Sequence, residues 1–189
     1  MGNLVYSAIA SLDGFVEDAS GTFAWAAPDA EVHAFVNELE RSVGTYLYGR
    51  RMYETMVFWE TQGDAGDDHE VTADYARIWR AADKVVYSRT LESVSSDRTS
   101  LVREFEPEAV AARKTASDRD LTIGGAELGG RALAAGVVDE LQLLLVPVLV
   151  GAGKRALPAG VRLDLELLEH RAFGSGTTFQ RYRVGARAD

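Results

Sequence analysis

Leu121-Thr122-Ile123-Gly124-Gly125-Ala126-Glu127-Leu128 is a short apolar strand that runs into two adjacent glycines and then, with no spacer, into a helix. Two residues without Cβ atoms let a backbone approach a ligand closely. The helix starting near Ala126 points unpaired N–H groups at the same place, which favours an anion and phosphate above all. A Gly-Gly turn also serves simply to pack a strand on its helix. A second junction adds weight to the ligand: Tyr46-Leu47-Tyr48 ends at Gly49 and is followed by Arg50-Arg51-Met52-Tyr53-Glu54, again a strand delivering a helix N-terminus, now with two cations.

The rest of the chain supplies the frame for these two junctions. Leu4 to Ala10 reads as a buried strand, followed by a loop at Ser11-Leu12-Asp13-Gly14. Val32, Phe35, Val36, Leu39 and Val43 form an apolar helical stripe, with Pro28 in its first turn and Gly44 as its stop. A strand at 45–48, the helix from Arg50 and an acidic loop from Glu60 to Glu70 follow. Val71, Tyr75, Ile78, Trp79 and Ala82 share a helical face, Lys84 to Ser88 and Leu101 to Phe105 are strands, and Pro107 opens a short helix. After a helix ending near Gly136 the grammar changes. Residues 138–150 are an apolar run broken by Pro147, residues 161–167 alternate at period two, and Thr177 to Val184 follows a Gly-Ser-Gly turn. Strands that alternate with helices imply a parallel sheet, and the helix-free C-terminal third implies antiparallel additions. The expectation is one domain over residues 1–189: a three-layer α/β fold whose mixed sheet is mostly parallel, with antiparallel C-terminal strands.

Composition narrows the chemistry. A chain of 189 residues, 47% hydrophobic, fits one globular core. A net charge of −9 argues against nucleic acid as a partner. The absence of cysteine removes disulfides, thiolate metal sites and cysteine nucleophiles. The N-terminal apolar stretch has no basic region before it and is cut at Asp13, and no later run approaches the roughly 20 residues that cross a bilayer. No membrane partner and a cytoplasmic location are therefore expected. His33, His69 and His170 are scattered, so no metal site is expected, and Asp64, Asp67 and Asp68 miss the spacing of a calcium loop. Ser175 lacks a nucleophile elbow, Gly153-Lys154 lacks the rest of a P-loop, and Gly124-Gly125 with Gly129-Gly130 is wrongly spaced for GxGxxG.

Parallel strands bring their C-terminal ends to one edge, so Ala8 to Gly14, Gly49 to Met52, Ser88-Arg89 and Gly124-Gly125 are expected to line one crevice. Arg50, Arg51 and Arg89, each of which alone also reads as a surface charge, would bind phosphates there. An adenosine 2′-phosphate among them favours NADP(H) over NAD(H).

Together, Ser11-Leu12-Asp13-Gly14, the run Tyr48 to Glu54, Thr122 to Leu128, and Val138-Asp139-Glu140-Leu141 followed by Pro147 and Gly151-x-Gly153 resemble the dihydrofolate-reductase-like superfamily. The nearest branch contains the reductase domain of bifunctional riboflavin-biosynthesis proteins and its stand-alone relatives. The resemblance covers nearly the whole chain in order. It implies a reductase that uses NADPH, with Gly49, Arg50, Arg51 and Met52 at one phosphate-binding helix start, Ser88 and Arg89 at the adenosine-phosphate turn, and Gly124, Gly125, Ala126, Glu127 and Leu128 at the second glycine turn. It places Ala8 against the nicotinamide, and Asp13 and Gly14 in a loop closing over cofactor and substrate. Asp13 is the expected catalytic carboxyl, positioning substrate or a proton-donating water, or else a turn-forming residue. Trp25, Glu31, Gly151 and Gly153 are the expected substrate-side residues, with Phe23 and Trp25 able to stack on a ring or to anchor the helix. The chain departs from riboflavin-pathway members at Phe15, where a basic residue is common, and it lacks the deaminase partner. A homodimer is implied by the resemblance and by the apolar run Leu141 to Val150. Two functions follow: an NADPH-dependent reductase of a small heterocyclic or sugar-derived substrate, or a nucleotide-binding or sensor domain without turnover.

Overall fold

In the computed structural model, which describes residues 1–61 and 70–187, the chain builds one eight-stranded sheet and a two-stranded one. The acidic stretch with Asp64, Asp67, Asp68 and His69 lies outside the described residues. The strands are β1 (Leu4–Ser11), β2 (Phe15–Asp18), β3 (Val43–Gly49), β4 (Asp83–Tyr87), β5 (Thr99–Val102), β6 (Asp120–Gly124), β7 (Glu140–Val146), β8 (Gly153–Arg155), β9 (Leu163–Ala172) and β10 (Thr178–Arg187). The α-helices are α1 (Ala30–Glu40), α2 (Arg50–Met56), α3 (Glu70–Ala81), α4 (Pro107–Ala116) and α5 (Ala126–Ala134). The large sheet runs β5-β4-β3-β6-β1-β7-β10-β9. Its first six strands are parallel, and β10 and β9 add antiparallel.

Helices cover both faces. One layer packs Val110 of α4 and Leu128, Ala132 and Leu133 of α5 on Leu4, Tyr6, Leu47, Val85, Leu121 and Ile123. The other packs Tyr75 and Trp79 of α3 on Tyr46, Tyr48 and Val86, and Val32 of α1 on Leu144 and Phe179. Central strands buried on both faces read as continuous apolar runs, which is why β1 and β6 were legible.

The boundaries correct three expectations. Asp29 caps α1 by accepting from Val32 N–H at 2.9 Å, and α1 ends at Glu40. Val43 and Gly44 therefore open β3 instead of closing the helix. The strand expected at 101–105 is Thr99–Val102. The pair β2–β8 was not foreseen. Each strand has four residues or fewer, too short for a period to register, and they meet only because the fold brings positions 15–18 to 153–155.

The apolar run after Val138 is mostly consumed internally, since Leu141, Leu143 and Leu144 are buried and Leu149 is the exposed remnant. Asp139 just before it is structural: its Oδ2 accepts from Leu4 N–H at 2.7 Å and faces Lys114 Nζ at 2.6 Å. Among the described residues, no helix is long and apolar enough to cross a membrane.

Candidate functional site

β3, β4 and β6 are parallel neighbours, so Gly49 pairs with Tyr87 and Tyr48 with Gly124 at a common C-terminal edge. Each strand there turns directly into the segments singled out above. The result is an open cleft of about 370 Å³ that gathers Gly49 to Met52, Ser88 and Arg89, and Gly125 to Leu128. The α5 helix begins with Gly125 as its N-cap and no side-chain cap, leaving its first N–H groups for a ligand.

The two glycines serve different ends. Gly125 has φ +94°, a conformation that residues with a Cβ rarely adopt, and a Cβ there would lie 3.3 Å from Met52 Cβ. At Gly124, which is outside the cleft lining, a Cβ would meet Tyr48 Cε1 at 3.1 Å and Met52 Cε at 3.3 Å. Both bare faces thus turn toward α2 and let the starts of α2 and α5 converge. Only the Gly125 backbone borders the cleft.

The cations divide into free and engaged. Arg51 and Arg89 have no ion pair or side-chain hydrogen bond among the described residues. Arg50 faces Glu54 at 3.9 Å with both side chains about half exposed, a pair worth at most about 1 kcal/mol. Sequence reasoning missed Arg103, Arg131 and Lys154, which also line the cleft. Arg103 donates to the carbonyls of Ser88 at 3.2 Å and Leu91 at 2.6 Å, so it braces the turn. Arg131 sits over the Phe105 ring at 5.2 Å. Lys154 faces Glu17 at 3.0 Å and Glu127 at 3.4 Å, tying the β2–β8 pair to the start of α5. The Ser88 hydroxyl accepts from Leu91 N–H at 2.9 Å and shapes its own turn.

The remaining expected residues lie elsewhere. Ala8 is partly buried under the α4–α5 layer and does not line the cleft. Gly14 (φ +87°) closes the β1–β2 turn by donating to the Ser11 carbonyl at 2.8 Å. Asp13 accepts from Val150 N–H at 3.2 Å and Gly151 N–H at 2.7 Å. The Ser11 hydroxyl and these amides hold its carboxyl below the usual carboxylate range. A carboxylate so held is ionised near neutrality, so any part it plays at a substrate is positioning and not release of its own proton, and Asp13 also ties two loops together. Gly151 supplies that amide, and Gly153 is a close-approach glycine, because a Cβ there would lie within bonding distance of the Glu17 carbonyl.

Trp25 and Glu31 are likewise occupied. Trp25 Nε1 donates to the Thr22 carbonyl at 3.2 Å. Glu31 accepts from Gly174 N–H at 3.1 Å and faces Arg171 at 3.6 Å, tying α1 to the β9–β10 hairpin. Neither is among the residues that line the two cavities at this edge, although Trp25 directly precedes the Ala26 to Asp29 stretch that borders the smaller one. His33 bonds Asn37 at 3.1 Å among Trp59 and Tyr75. No group of three potential metal ligands occurs among the described residues. A second cavity, about 160 Å³, lies beyond β6 at the ends of β1 and β7, bounded by Ile9, Leu144, Pro147 and the start of α1.

Comparison with known proteins returns one consistent group. A family model described as the RibD C-terminal domain matches residues 3–179. The uncharacterized protein YyaP of Bacillus subtilis (strain 168) is 27% identical over 169 residues, which is 88% of this chain and 86% of the relative. A crystal structure from Shewanella sp. PV-4, described as that of a protein assigned to riboflavin biosynthesis, matches with a TM-score of 0.74 at 20% identity, covering 97% of this chain and 99% of that one. The diaminohydroxyphosphoribosylaminopyrimidine deaminase/5-amino-6-(5-phosphoribosylamino)uracil reductase of Thermotoga maritima matches with a TM-score of 0.65 at 13% identity, over 97% of this chain and 56% of that protein. At such identities the likeness to the solved structures is one of fold.

Proposed function

The chain belongs to the RibD C-terminal domain family, and on that footing we propose that it is an NADPH-dependent reductase acting on a small heterocyclic or sugar-derived substrate. The observation that carries the reading is the meeting of two unpaired arginines, Arg51 and Arg89, with the uncapped start of α5 in one cleft. Cations and helix N–H groups at one place suit phosphate. From β4 across β3 and β6 to β1 is three strand intervals, about 14 Å, so an extended dinucleotide anchored at Arg89 reaches the end of β1. The residues present therefore fit the cofactor.

When bound, NADPH supplies the hydride. The chain's own groups bind and orient. Arg51, Arg89 and the α5 amides take the phosphate charge, and the convergence of Gly125 with Met52 sets the width of the cleft. Asp13 fixes the Leu12–Gly14 turn against Val150 and Gly151, so both walls beside the end of β1 move as one. With Asp13 held ionised, Glu31 paired and His33 enclosed by aromatic rings, the proton that accompanies hydride comes from solvent.

Calorimetric titration with NADPH, followed by loss of NADPH absorbance with candidate substrates, tests the proposal. Absence of NADPH binding rejects it. Binding with no oxidation across heterocyclic and sugar-derived series would favour a nucleotide sensor.

A further inference from the structure

On the face of the sheet that α1 covers, the packing changes character along β7. Leu144 of β7 and Phe179 of β10 lie in a dry layer with Val32. One pleat nearer the start of β7 the same face presents Gln142, with Arg181 opposite it on β10, and then Glu140. Val5 of β1 pairs with Glu140 on one side and with Thr122 of β6 on the other. These side chains, Asp120 and the end of α1 line a cavity of about 210 Å³, at the edge of the sheet opposite the cofactor cleft. That is the share of about seven water molecules.

Its polar groups are buried without partners. Thr122 is 6% exposed and Gln142 8%, and neither side chain makes a hydrogen bond among the described residues. Glu40, 7% exposed at the end of α1, has no partner for Oε2, and the Tyr46 hydroxyl beside it is likewise buried with none at hydrogen-bond distance. Buried polar groups in native proteins are nearly always paired, so a cavity that gathers several unpaired ones is a place where a bound molecule supplies the partners.

The charges indicate which molecule. Glu140 is closed off by Arg181, whose Nε and Nη2 reach its oxygens at 2.7 and 3.1 Å. Glu38 is taken by Arg41 Nε at 2.9 Å. Arg119 donates to the carbonyls of Arg41 at 2.8 Å and Ser42 at 3.3 Å. Asp120 accepts from Asn3 N–H at 2.9 Å and, like Glu40, has no ion pair among the described residues. Two carboxyls therefore border one small cavity while the cations near it are committed elsewhere. A bare metal ion is a poor match, because no group of three potential metal ligands occurs among the described residues. An N–H donor with a positive charge suits two carboxylates flanked by an amide carbonyl and a hydroxyl.

We propose that this cavity binds a small organic cation of the ammonium class, held by Glu40 and Asp120 with Gln142 and Thr122 as further acceptors. The proposal is independent of the reductase reading, since it concerns the other edge of the sheet.

Putrescine, 1,4-butanediol and succinate share a four-carbon chain and end in cations, hydroxyls and anions respectively. Burial pushes the Glu40 carboxyl up to about 7, so the full chain is titrated by calorimetry at about pH 8, where that group is ionised. Putrescine is expected to bind at least about tenfold more tightly than butanediol, the scale of a charge-assisted hydrogen bond, and succinate not measurably. The chain's net charge of −9 also attracts cations loosely, and variants separate the two effects. Asp120→Asn and Glu40→Gln, nearly isosteric changes, should each weaken putrescine at least about tenfold. Glu108→Gln, exposed in the first turn of α4, should leave it unchanged. Absence of putrescine binding, tighter binding of butanediol or succinate, or a putrescine affinity that the two cavity variants alter no more than Glu108→Gln does, overturns the proposal and makes the cavity a water-filled one.

Discussion

Asp13 accepts the backbone N–H of Gly151 at 2.7 Å, across 138 positions of sequence. Its other oxygen takes the Val150 amide, so one side chain holds the β1–β2 turn against the segment that leaves β7. These loops flank the end of β1.

The first prediction concerns that tether. The carboxyl of Asp13 is held below its ordinary value, so it is ionised throughout the neutral range and its contribution disappears only as pH falls through that lowered value. Wild type and Asp13→Asn should therefore show pH–rate profiles of the same shape between about pH 5 and 8, with the variant slower at every pH through a loosened loop. An inflection in that range present in wild type and lost in the variant would mean that Asp13 itself donates a proton.

Arg89 carries the second. Replacing it with alanine removes a charge-assisted contact worth about 1.5–3 kcal/mol, so NADPH should bind at least about tenfold more weakly while NADH affinity changes little. Calorimetry with both nucleotides is the check, and a parallel loss of the two would move Arg89 away from the 2′-phosphate.

Lys154 separates the carboxylates of Glu17 and Glu127 beside the cleft. Lys154→Ala leaves Glu127 uncompensated at the start of α5, where an incoming phosphate must pass. We expect weaker NADPH binding, recovered in part by the double variant Lys154→Ala/Glu127→Gln. Absence of recovery would mean that Lys154 acts by holding β8 in place.

For Gly125, the positive φ and the nearby Met52 Cβ make any side chain costly. Gly125→Ala should lose about 1–3 kcal/mol of stability, a fall of several degrees in Tm, together with NADPH affinity. Unchanged melting would show that the turn relaxes freely.

Glu40 gives a pH signature independent of the site. Burial pushes its carboxyl up to about 7, and its Oε2 has no hydrogen-bond partner among the described residues. The folded state therefore holds a proton that the unfolded state releases near pH 4.3. Stability should fall by roughly 3 kcal/mol between about pH 4.5 and 7 and level off above that. Thermal unfolding across this range should show the decline in wild type and a flatter curve in Glu40→Gln; matching slopes exclude Glu40 as the source.

Much of the fold was readable because its signals are local. Apolar strands such as Leu121–Ile123 end at glycines, the stripe Val32, Phe35, Val36 and Leu39 repeats at helical spacing, and the switch to period two near Leu163 announces antiparallel strands. Their order along the chain was enough to infer a mostly parallel sheet, and a parallel sheet necessarily gathers Gly49, Ser88 and Gly125 at one edge.

What each polar group does once gathered there is not a local property. The tasks of Asp13, Lys154, Glu31 and Gly153 depend on which strand lies beside which, and their partners stand tens of residues away or more. Glycine is ambiguous in sequence for the same reason: Gly124 yields to a tyrosine ring, Gly125 to a positive φ and a neighbouring helix, and Gly153 to a facing carbonyl. Periodicity records which face of an element is dry, and so it fixes layers. Hydrogen bonds and ion pairs are made at a few ångströms between elements that only folding brings together, and so the pairing of charges, and with it which arginines stay unpaired among the described residues, emerges only in three dimensions.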